Sequence, residues 1–314
     1  MKIKPKISWF LTPTGRNFSL AAITTASVSC VAAKFLPHTI FLDKYQEIVT
    51  SYRDGLPLPV SPGVQDRFKK VLQVLKIPER DEKFLKPFTV FGFDIFNAGT
   101  VYSKWGAIIG IPESFSYISK DTIDKRRIEI NNEPVDWTSE PAQNLLNALV
   151  LSENAQMYAL AREVEEKRSF KILLDTSYPP LIIFAMYSLG QYYNNKLNFY
   201  NRPRSLRVMF YSLLTLFGVG LYCFLKDFTQ VHYETQTDKI LTDIDPLFVY
   251  GGLEYYQKII ERNKALRKLL GAHGQQLYSV HGNENFFIRQ KRLPLNVRKL
   301  YFETKLSDLN NVQK

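Results

Sequence analysis

The chain has 314 residues and a formal net charge of +11, and its hydrophobic fraction of 45% suits soluble and membrane proteins alike. The positive charge gathers mainly beside uncharged apolar stretches, which argues against a nucleic-acid-binding protein and favours a membrane protein. Both cysteines, Cys30 and Cys223, lie inside apolar stretches. This excludes a disulfide framework and a cysteine-based metal site.

The first apolar stretch covers residues 17–36 and follows a basic, acid-free segment, residues 1–16. Its length is that of a membrane-spanning helix, about 20 residues. A basic flank directly after the first Met is also typical of a removable targeting sequence. Both interpretations stay open, and length and hydropathy favour the membrane span.

Two further uncharged stretches, residues 176–195 and 208–225, are each about long enough to span a bilayer. The alternative is a buried helical hairpin in a large soluble core. Two such stretches in succession are rare in soluble domains, so we predict membrane spans 2 and 3.

The connector between these spans, residues 196–207, carries basic residues and no acidic ones. Since basic loops stay on the inner side of a membrane, the connector and the N-terminal segment are both predicted to face inward. Segments 37–175 and 226–314 then lie together on the outer side and can pack with each other.

Segment 37–175 is predicted to be an α+β domain, and the whole chain a mostly helical multi-pass membrane protein. The predicted elements are a helix at 65–75, strands at 88–96 and 106–111, a strand–turn region at 127–137 with its turn at Asn131-Asn132, and helix over 139–170.

The tail, residues 226–314, is predicted to be helical, with a break at 243–246. Gly251-Gly252 then precedes an amphipathic helix over 253–270 that Gly271 ends. This helix either binds a partner or lipid headgroups, or packs onto its own domain.

Several short motifs, in order and spacing together, resemble the transmembrane protein 177 family of the mitochondrial inner membrane. They are Lys86-Pro87-Phe88-Thr89, Gly110-Ile111-Pro112-Glu113-Ser114-Phe115, Val135-Asp136-Trp137, Leu151-Ser152, Ala159-Leu160-Ala161-Arg162-Glu163-Val164, Gly251-Gly252-Leu253-Glu254-Tyr255-Tyr256 and Ala265-Leu266-Arg267-Lys268-Leu269-Leu270-Gly271.

The resemblance implies a multi-pass inner-membrane protein that acts in cytochrome c oxidase biogenesis. It implies that the partners are newly made oxidase subunit 2, the dedicated chaperone of that subunit, and the lipid bilayer. In this compartment the connector 196–207 would face the matrix, and both larger segments would face the intermembrane space.

A second, distant resemblance concerns residues 158–169, which read YALAREVEEKRS. They are similar to the active-site helix of HtpX-like membrane zinc metallopeptidases, where His-Glu-x-x-His places two zinc ligands one turn apart with a glutamate as general base. Here Arg162 and Glu166 stand at the histidine positions, and Glu163 stands at the base position.

The order of the following segments is also similar to these peptidases. Two apolar stretches follow the helix, and then a Glu-x-x-x-Asp element, here Glu234 to Asp238, stands where the third zinc ligand would be. The hypothesis is a degenerate zincin-like domain with an inserted hydrophobic hairpin. The plainer interpretation is a solvated charged stretch and a chance match.

Even if that fold is right, we expect no catalytic, cofactor-binding or metal site, because a guanidinium cannot ligate zinc. Arg162 is expected to pair with Glu166 or Glu234, so that it or another basic group neutralises the carboxylates of the emptied site. Glu234 is therefore expected to lie near the 162–166 turn, with no metal ion between them.

Two functions from different classes remain. The first is a non-catalytic, membrane-anchored factor that assembles or stabilises other membrane proteins, and we favour it. The alternative is a membrane metallopeptidase-like protein of the inner membrane, either one that keeps activity by an unusual arrangement or, as we favour within this alternative, one that has lost it.

Overall fold

The computed structural model describes residues 8–130 and 133–312. The chain forms two compact units, a membrane unit (8–37 and 170–229) and an α+β unit (38–169 and 230–312). The helices are α1 (Pro13–Phe35), α2 (Leu42–Val49), α3 (Pro62–Val74), α4 (Glu79–Glu82), α5 (Glu140–Leu149), α6 (Glu153–Lys167), α7 (Lys171–Lys196), α8 (Arg204–Ile244), α9 (Pro246–Leu269), α10 (Gly271–Leu277) and α11 (Leu295–Val312). The strands are β1 (Tyr52–Arg53), β2 (Leu56–Pro57), β3 (Leu85–Val90), β4 (Phe96–Gly99), β5 (Ala107–Pro112), β6 (Glu129–Ile130) and β7 (Glu133–Pro134).

Three helices, α1, α7 and α8, are long and apolar enough to cross a membrane. With 68% of the described residues helical and a small sheet content, the predicted fold class, a mostly helical α+β multi-pass membrane protein, is confirmed. Helix α8 has 41 residues, so the third apolar stretch and the first helix of the tail are one continuous helix. The chain has neither glycine nor proline between Gly220 and Pro246, so nothing in that interval ends the helix.

The membrane unit exposes large apolar side chains along its helices. On α8, Leu213, Leu216 and Phe217 are each more than half exposed. Such a surface is unfavourable in water and is the surface that a lipid-facing helix presents. Side-chain exposure thus supports the membrane assignment independently of length.

Helix α7 tolerates an internal Pro179 because another helix supplies the missing hydrogen bond. Pro179 has no N–H to donate to the carbonyl of Asp175 one turn earlier. The Lys34 Nζ atom of α1 donates to that carbonyl oxygen at 3.3 Å. The Lys34 ammonium group therefore provides the hydrogen bond that this carbonyl needs and that lipid hydrocarbon cannot supply.

The α+β unit contains a three-stranded sheet in the order β3–β5–β4. Strand β5 is buried along its whole length, parallel to β3 and antiparallel to β4. It confirms the strand predicted at 106–111. The single strand predicted at 88–96 is wrong, because the chain turns at Gly92, whose φ is +99°, and divides the region into β3 and β4.

The short strands β6 and β7 pair in the predicted strand–turn region. The predicted turn Asn131-Asn132 lies outside the described residues. Strands β1 and β2 form a second small hairpin near the start of the α+β unit.

The single helix predicted over 139–170 is wrong, because the chain breaks between α5 and α6. The Ser152 side chain caps α6 by accepting from the Ala155 backbone N–H at 3.3 Å. Glu254 holds the same turn, since its carboxylate accepts the Ser152 backbone N–H at 3.0 Å. The break depends on a residue 102 positions away, which no local pattern reveals.

Helix α9 is the central helix of the α+β unit and packs against α5, α6, α10 and α11. Of the two interpretations of the tail helix, the structure supports packing onto its own domain, since Tyr256, Ile260 and Leu266 are all buried. The prediction that Gly251-Gly252 precedes this helix is wrong. Both glycines lie within α9, where a Cβ on Gly251 would collide with the Asn154 carbonyl of α6 and one on Gly252 with the Phe302 ring of α11.

Candidate functional site

The predicted base position, Glu163, lies on the buried side of α6, with 2% of its surface exposed. One carboxylate oxygen accepts the side-chain amide of Asn97 on β4. The other oxygen accepts Arg162 Nε at 2.9 Å and a second guanidinium nitrogen of the same residue. Both oxygens of the carboxylate are therefore occupied by protein donors.

The Arg162 guanidinium that bonds to Glu163 also lies over the aromatic ring of Tyr255 on α9, 5.3 Å from the ring centroid. We expected Arg162 to pair with Glu166 or Glu234. The structure shows an ion pair of Arg162 with its neighbour Glu163. Glu166 is half-buried on the next turn of α6.

A buried polar cluster lies one turn earlier on α6, and we call it the Asp238 cluster: Tyr158, Asp238, Tyr256 and Arg298. The Tyr158 hydroxyl donates to Asp238 Oδ1 at 2.6 Å and lies 2.9 Å from the Tyr256 hydroxyl. Two guanidinium nitrogens of Arg298 donate to the two Asp238 oxygens at 2.8 and 2.6 Å. Such a bidentate pair is among the strong hydrogen-bonded ion pairs of proteins.

Asp238, at one end of the Glu-x-x-x-Asp element, contacts α6 through Tyr158, one turn before the 162–166 turn near which Glu234 was expected. The position of Glu234 near that turn stays a prediction. Glu234, at the other end of the element, lies 3.9 Å from an Arg298 nitrogen. Its two oxygens accept Gln230 Nε2 at 2.7 Å and the Leu293 backbone N–H at 2.8 Å. The basic group that neutralises this element is therefore Arg298 of α11.

The surroundings of Arg298 and Tyr158 in the cluster raise the pKa values of both side chains. Burial would lower the pKa of the Arg298 guanidinium, but the neighbouring Tyr256 and Asp238 oxygens outweigh it and raise that pKa well above the usual value. Burial, aided by the Asp238 charge, raises the pKa of the Tyr158 phenol. The cluster holds a permanent cation and neutral phenols at any pH the cell reaches.

Sequence reasoning missed Arg298, the residue on which the cluster depends. A signal was present, because Arg298 falls at helical spacing among the residues with which α11 packs against the core, Leu295, Phe302 and Leu306. A cation in the apolar stripe of a helix needs a buried anion. Asp238 is that anion, and each of the two residues is at most 5% exposed.

The cluster joins four helices, since its members come from α6, α8, α9 and α11. Within residues 8–130 and 133–312, no group of three histidine, cysteine, aspartate or glutamate side chains is placed to hold a metal ion. The buried ion pair between Asp238 and Arg298, with both Asp238 oxygens hydrogen-bonded, can hold α8 and α11 against α6.

Comparison with known proteins identifies the family. The transmembrane protein 177 family model matches residues 91–286. Transmembrane protein 177 of Rattus norvegicus is 34% identical over 247 residues, 78% of each chain. The chain belongs to the transmembrane protein 177 family.

Other members of the transmembrane protein 177 family agree with this assignment. The Homo sapiens protein is 32% identical over 248 residues, and the Xenopus laevis protein is 27% identical over 281 residues, 88% of this chain and 90% of that protein. No solved structure matches the chain. The family model covers α6 and Asp238 but ends before α11, so Arg298 lies beyond the matched region.

Proposed function

We propose that the chain is a non-catalytic factor of the mitochondrial inner membrane that stabilises newly made cytochrome c oxidase subunit 2 together with the chaperone of that subunit. The proposal extends membership of the transmembrane protein 177 family to the role that the resemblance implies. The observation that supports its non-catalytic part is the pairing of the buried Glu163 carboxylate, which stands at the base position of the zincin-like motif, with the Arg162 guanidinium.

The bonding of Glu163 supports the absence of catalysis. A general base must reach a water molecule or a substrate proton by a hydrogen bond. Glu163 is 2% exposed, and its two oxygens accept bonds from Arg162 and Asn97. Burial and these bonds oppose contact of Glu163 with water, which supports a non-catalytic role.

The exposed loop before α11 supports a role in binding another protein. Phe287 is 99% exposed and Ile288 is 85% exposed. Adjacent large apolar side chains that face solvent are costly unless a partner covers them, and they commonly mark an interaction site. Subunit 2 or its chaperone is the partner that we propose for this loop.

Co-purification tests this partner assignment. The tagged full chain is isolated from mildly solubilised mitochondria, and the bound proteins are identified. We expect newly made subunit 2 and its chaperone with the wild type, and several-fold less of both with Phe287→Ser combined with Ile288→Ser. Ile118→Ser is the matched control, since Ile118 is 87% exposed in a different loop. Absence of both proteins from the wild-type sample contradicts the proposal.

The proposed orientation places the connector 196–207 in the matrix and the tail in the intermembrane space. Protease added to mitochondria with a ruptured outer membrane should then remove a C-terminal tag. A tag that stays protected until the inner membrane is opened would refute the three-span orientation.

The alternative, a metallopeptidase-like protein of the same membrane, rests on one observation, the hydrogen bond from Tyr158 of α6 to Asp238 of the Glu-x-x-x-Asp element. An active peptidase of this kind needs a metal ion. Metal analysis of the purified full chain separates the two functions, because stoichiometric zinc would favour the peptidase.

A further inference from the structure

The membrane unit contains an open apolar groove between α1, α7 and α8, with a volume of about 1030 Å³. Small and apolar side chains line most of it, among them Ala22, Ile183 and Leu214. Its volume is near the upper end of the range for small-molecule sites, roughly 300–1,000 Å³.

The groove follows the helices along much of a membrane span. Its lining residues on α1 run from Phe18 to Lys34, about 24 Å at the helical rise of about 1.5 Å per residue. The hydrocarbon core of a bilayer is about 30 Å thick. A long apolar groove in hydrocarbon suits a chain-like apolar ligand rather than a compact polar one.

One end of the groove is basic. Arg204 and Arg207 line it, and the connector from which they come has no acidic residue. The Arg207 guanidinium lies over the Tyr200 ring at 5.0 Å, and its buried Nε has no hydrogen-bond partner among the described residues. A guanidinium at the edge of an apolar groove favours an anion with several oxygens, such as a phosphate.

At the opposite end of the groove, the cation already has partners within the protein. Lys34 lies there, and its ammonium group donates to the Asp175 carbonyl and stands 5.1 Å from the centre of the Tyr222 ring. The charge asymmetry therefore fixes which end would receive the polar part of an amphipathic ligand.

We propose that the groove binds an anionic phospholipid, with the phosphate on Arg204 and Arg207 and an acyl chain along the apolar lining. Basic pockets between spanning helices are a recognised type of site for anionic lipid headgroups. Bound there, the lipid fills the space between the three helices.

Native mass spectrometry of the detergent-solubilised full chain tests the site. The protein is mixed with equal amounts of phosphatidylglycerol and phosphatidylcholine, and the retained lipid is measured. We expect about tenfold preference for phosphatidylglycerol in the wild type, lost when Arg204→Gln and Arg207→Gln are combined. Arg204→Lys with Arg207→Lys should retain much of it, and Arg202→Gln, which removes a connector charge outside the lining, should retain all of it.

A second pair of variants, a test and its control, probes the apolar part of the site. Ala22→Trp fills the groove and should reduce retained lipid several-fold, whereas Ala21→Trp, on the same helix but outside the lining, should not. Equal retention of both lipids by the wild type, or unchanged preference after loss of both arginines, overturns the proposal. So does displacement of the lipid by inorganic phosphate, or crosslinking from the groove to a second protein chain.

Discussion

Replacing Arg298 by methionine tests the Asp238 cluster most sharply. The side chain is 5% exposed and carries the bidentate bonds to Asp238. Methionine keeps much of the apolar volume on α11 but removes the charge. The result is a buried aspartate without its cation.

The expected cost follows from what remains around Asp238. Removing one partner of a buried ion pair costs about 3–5 kcal/mol. The Tyr158 hydroxyl still donates to Asp238 at 2.6 Å, and Tyr256 lies at 3.4 Å, so we expect the lower half, about 3–4 kcal/mol. In a domain of this size each kcal/mol shifts the melting temperature by about 2–4 °C, so the shift should be about 6–16 °C.

Tryptophan fluorescence during thermal unfolding of the full chain in detergent measures this shift. Trp105 and Trp137 report on the α+β unit, and a Trp9→Phe background removes the tryptophan of the membrane unit. Adding Asp238→Asn to Arg298→Met should recover part of the stability, because no unpaired charge is then buried.

The neighbouring Lys299 provides the control. Its pair with Glu303 lies at the surface, so Lys299→Met should change stability by no more than about 0.5 kcal/mol. A melting temperature in Arg298→Met within 2 °C or so of the wild type would refute the argument that the cluster locks the helices.

Three further predictions follow from the packing and the membrane spans. Arg162→Ala should destabilise the α+β unit by about 2–3 kcal/mol and lower protein abundance in cells, because it leaves the buried Glu163 carboxylate without a cation. Denaturant unfolding measures this loss of stability, and equal unfolding midpoints of the variant and the wild type would contradict the prediction. Gly251→Ala should cost about 1–3 kcal/mol in the same assay, since its Cβ would collide with the Asn154 carbonyl, whereas Gly220→Ala, with no atom within 4 Å, should cost nothing. Leu214→Arg should cost about 2.5–3.5 kcal/mol of insertion and lead to degradation, and normal abundance with resistance to carbonate extraction would mean that this part of α8 is not in the membrane.

Much of the fold could be predicted because its signals are local. The three apolar stretches have the length and composition of spanning helices, and α1, α7 and α8 contain them. Strand β5 is an uninterrupted apolar run that ends in proline, and Pro246 lies at the predicted break between α8 and α9. These patterns need no knowledge of distant residues.

The errors arose where distant residues decide the local structure. The apolar spacing continues from α5 through Leu151, but Glu254 fixes the turn at Ser152 and ends the pattern. Gly251 and Gly252 resemble a helix start, yet both allow close contact with other helices inside α9.

The candidate site shows the same limit. Sequence order identified Glu163 and Glu234 as carboxylates that need a cation, and it identified Asp238 only as part of the same element as Glu234. The choice of cation depended on the position of α11, which brings Arg298 to Asp238 across 60 residues of chain. The charge argument therefore predicted that a basic partner exists, while only the tertiary structure identifies it.

The stability of newly made cytochrome c oxidase subunit 2 tests the central proposal most directly. Subunit 2 is pulse-labelled in cells that lack this protein, and its decay is compared after re-expression of the wild type or of Glu163→Gln at matched abundance. We predict that loss of the protein accelerates the decay and that both forms restore it equally, because no catalytic base is needed. Unchanged decay without the protein, or rescue by the wild type but not by Glu163→Gln, would contradict a non-catalytic stabilising role.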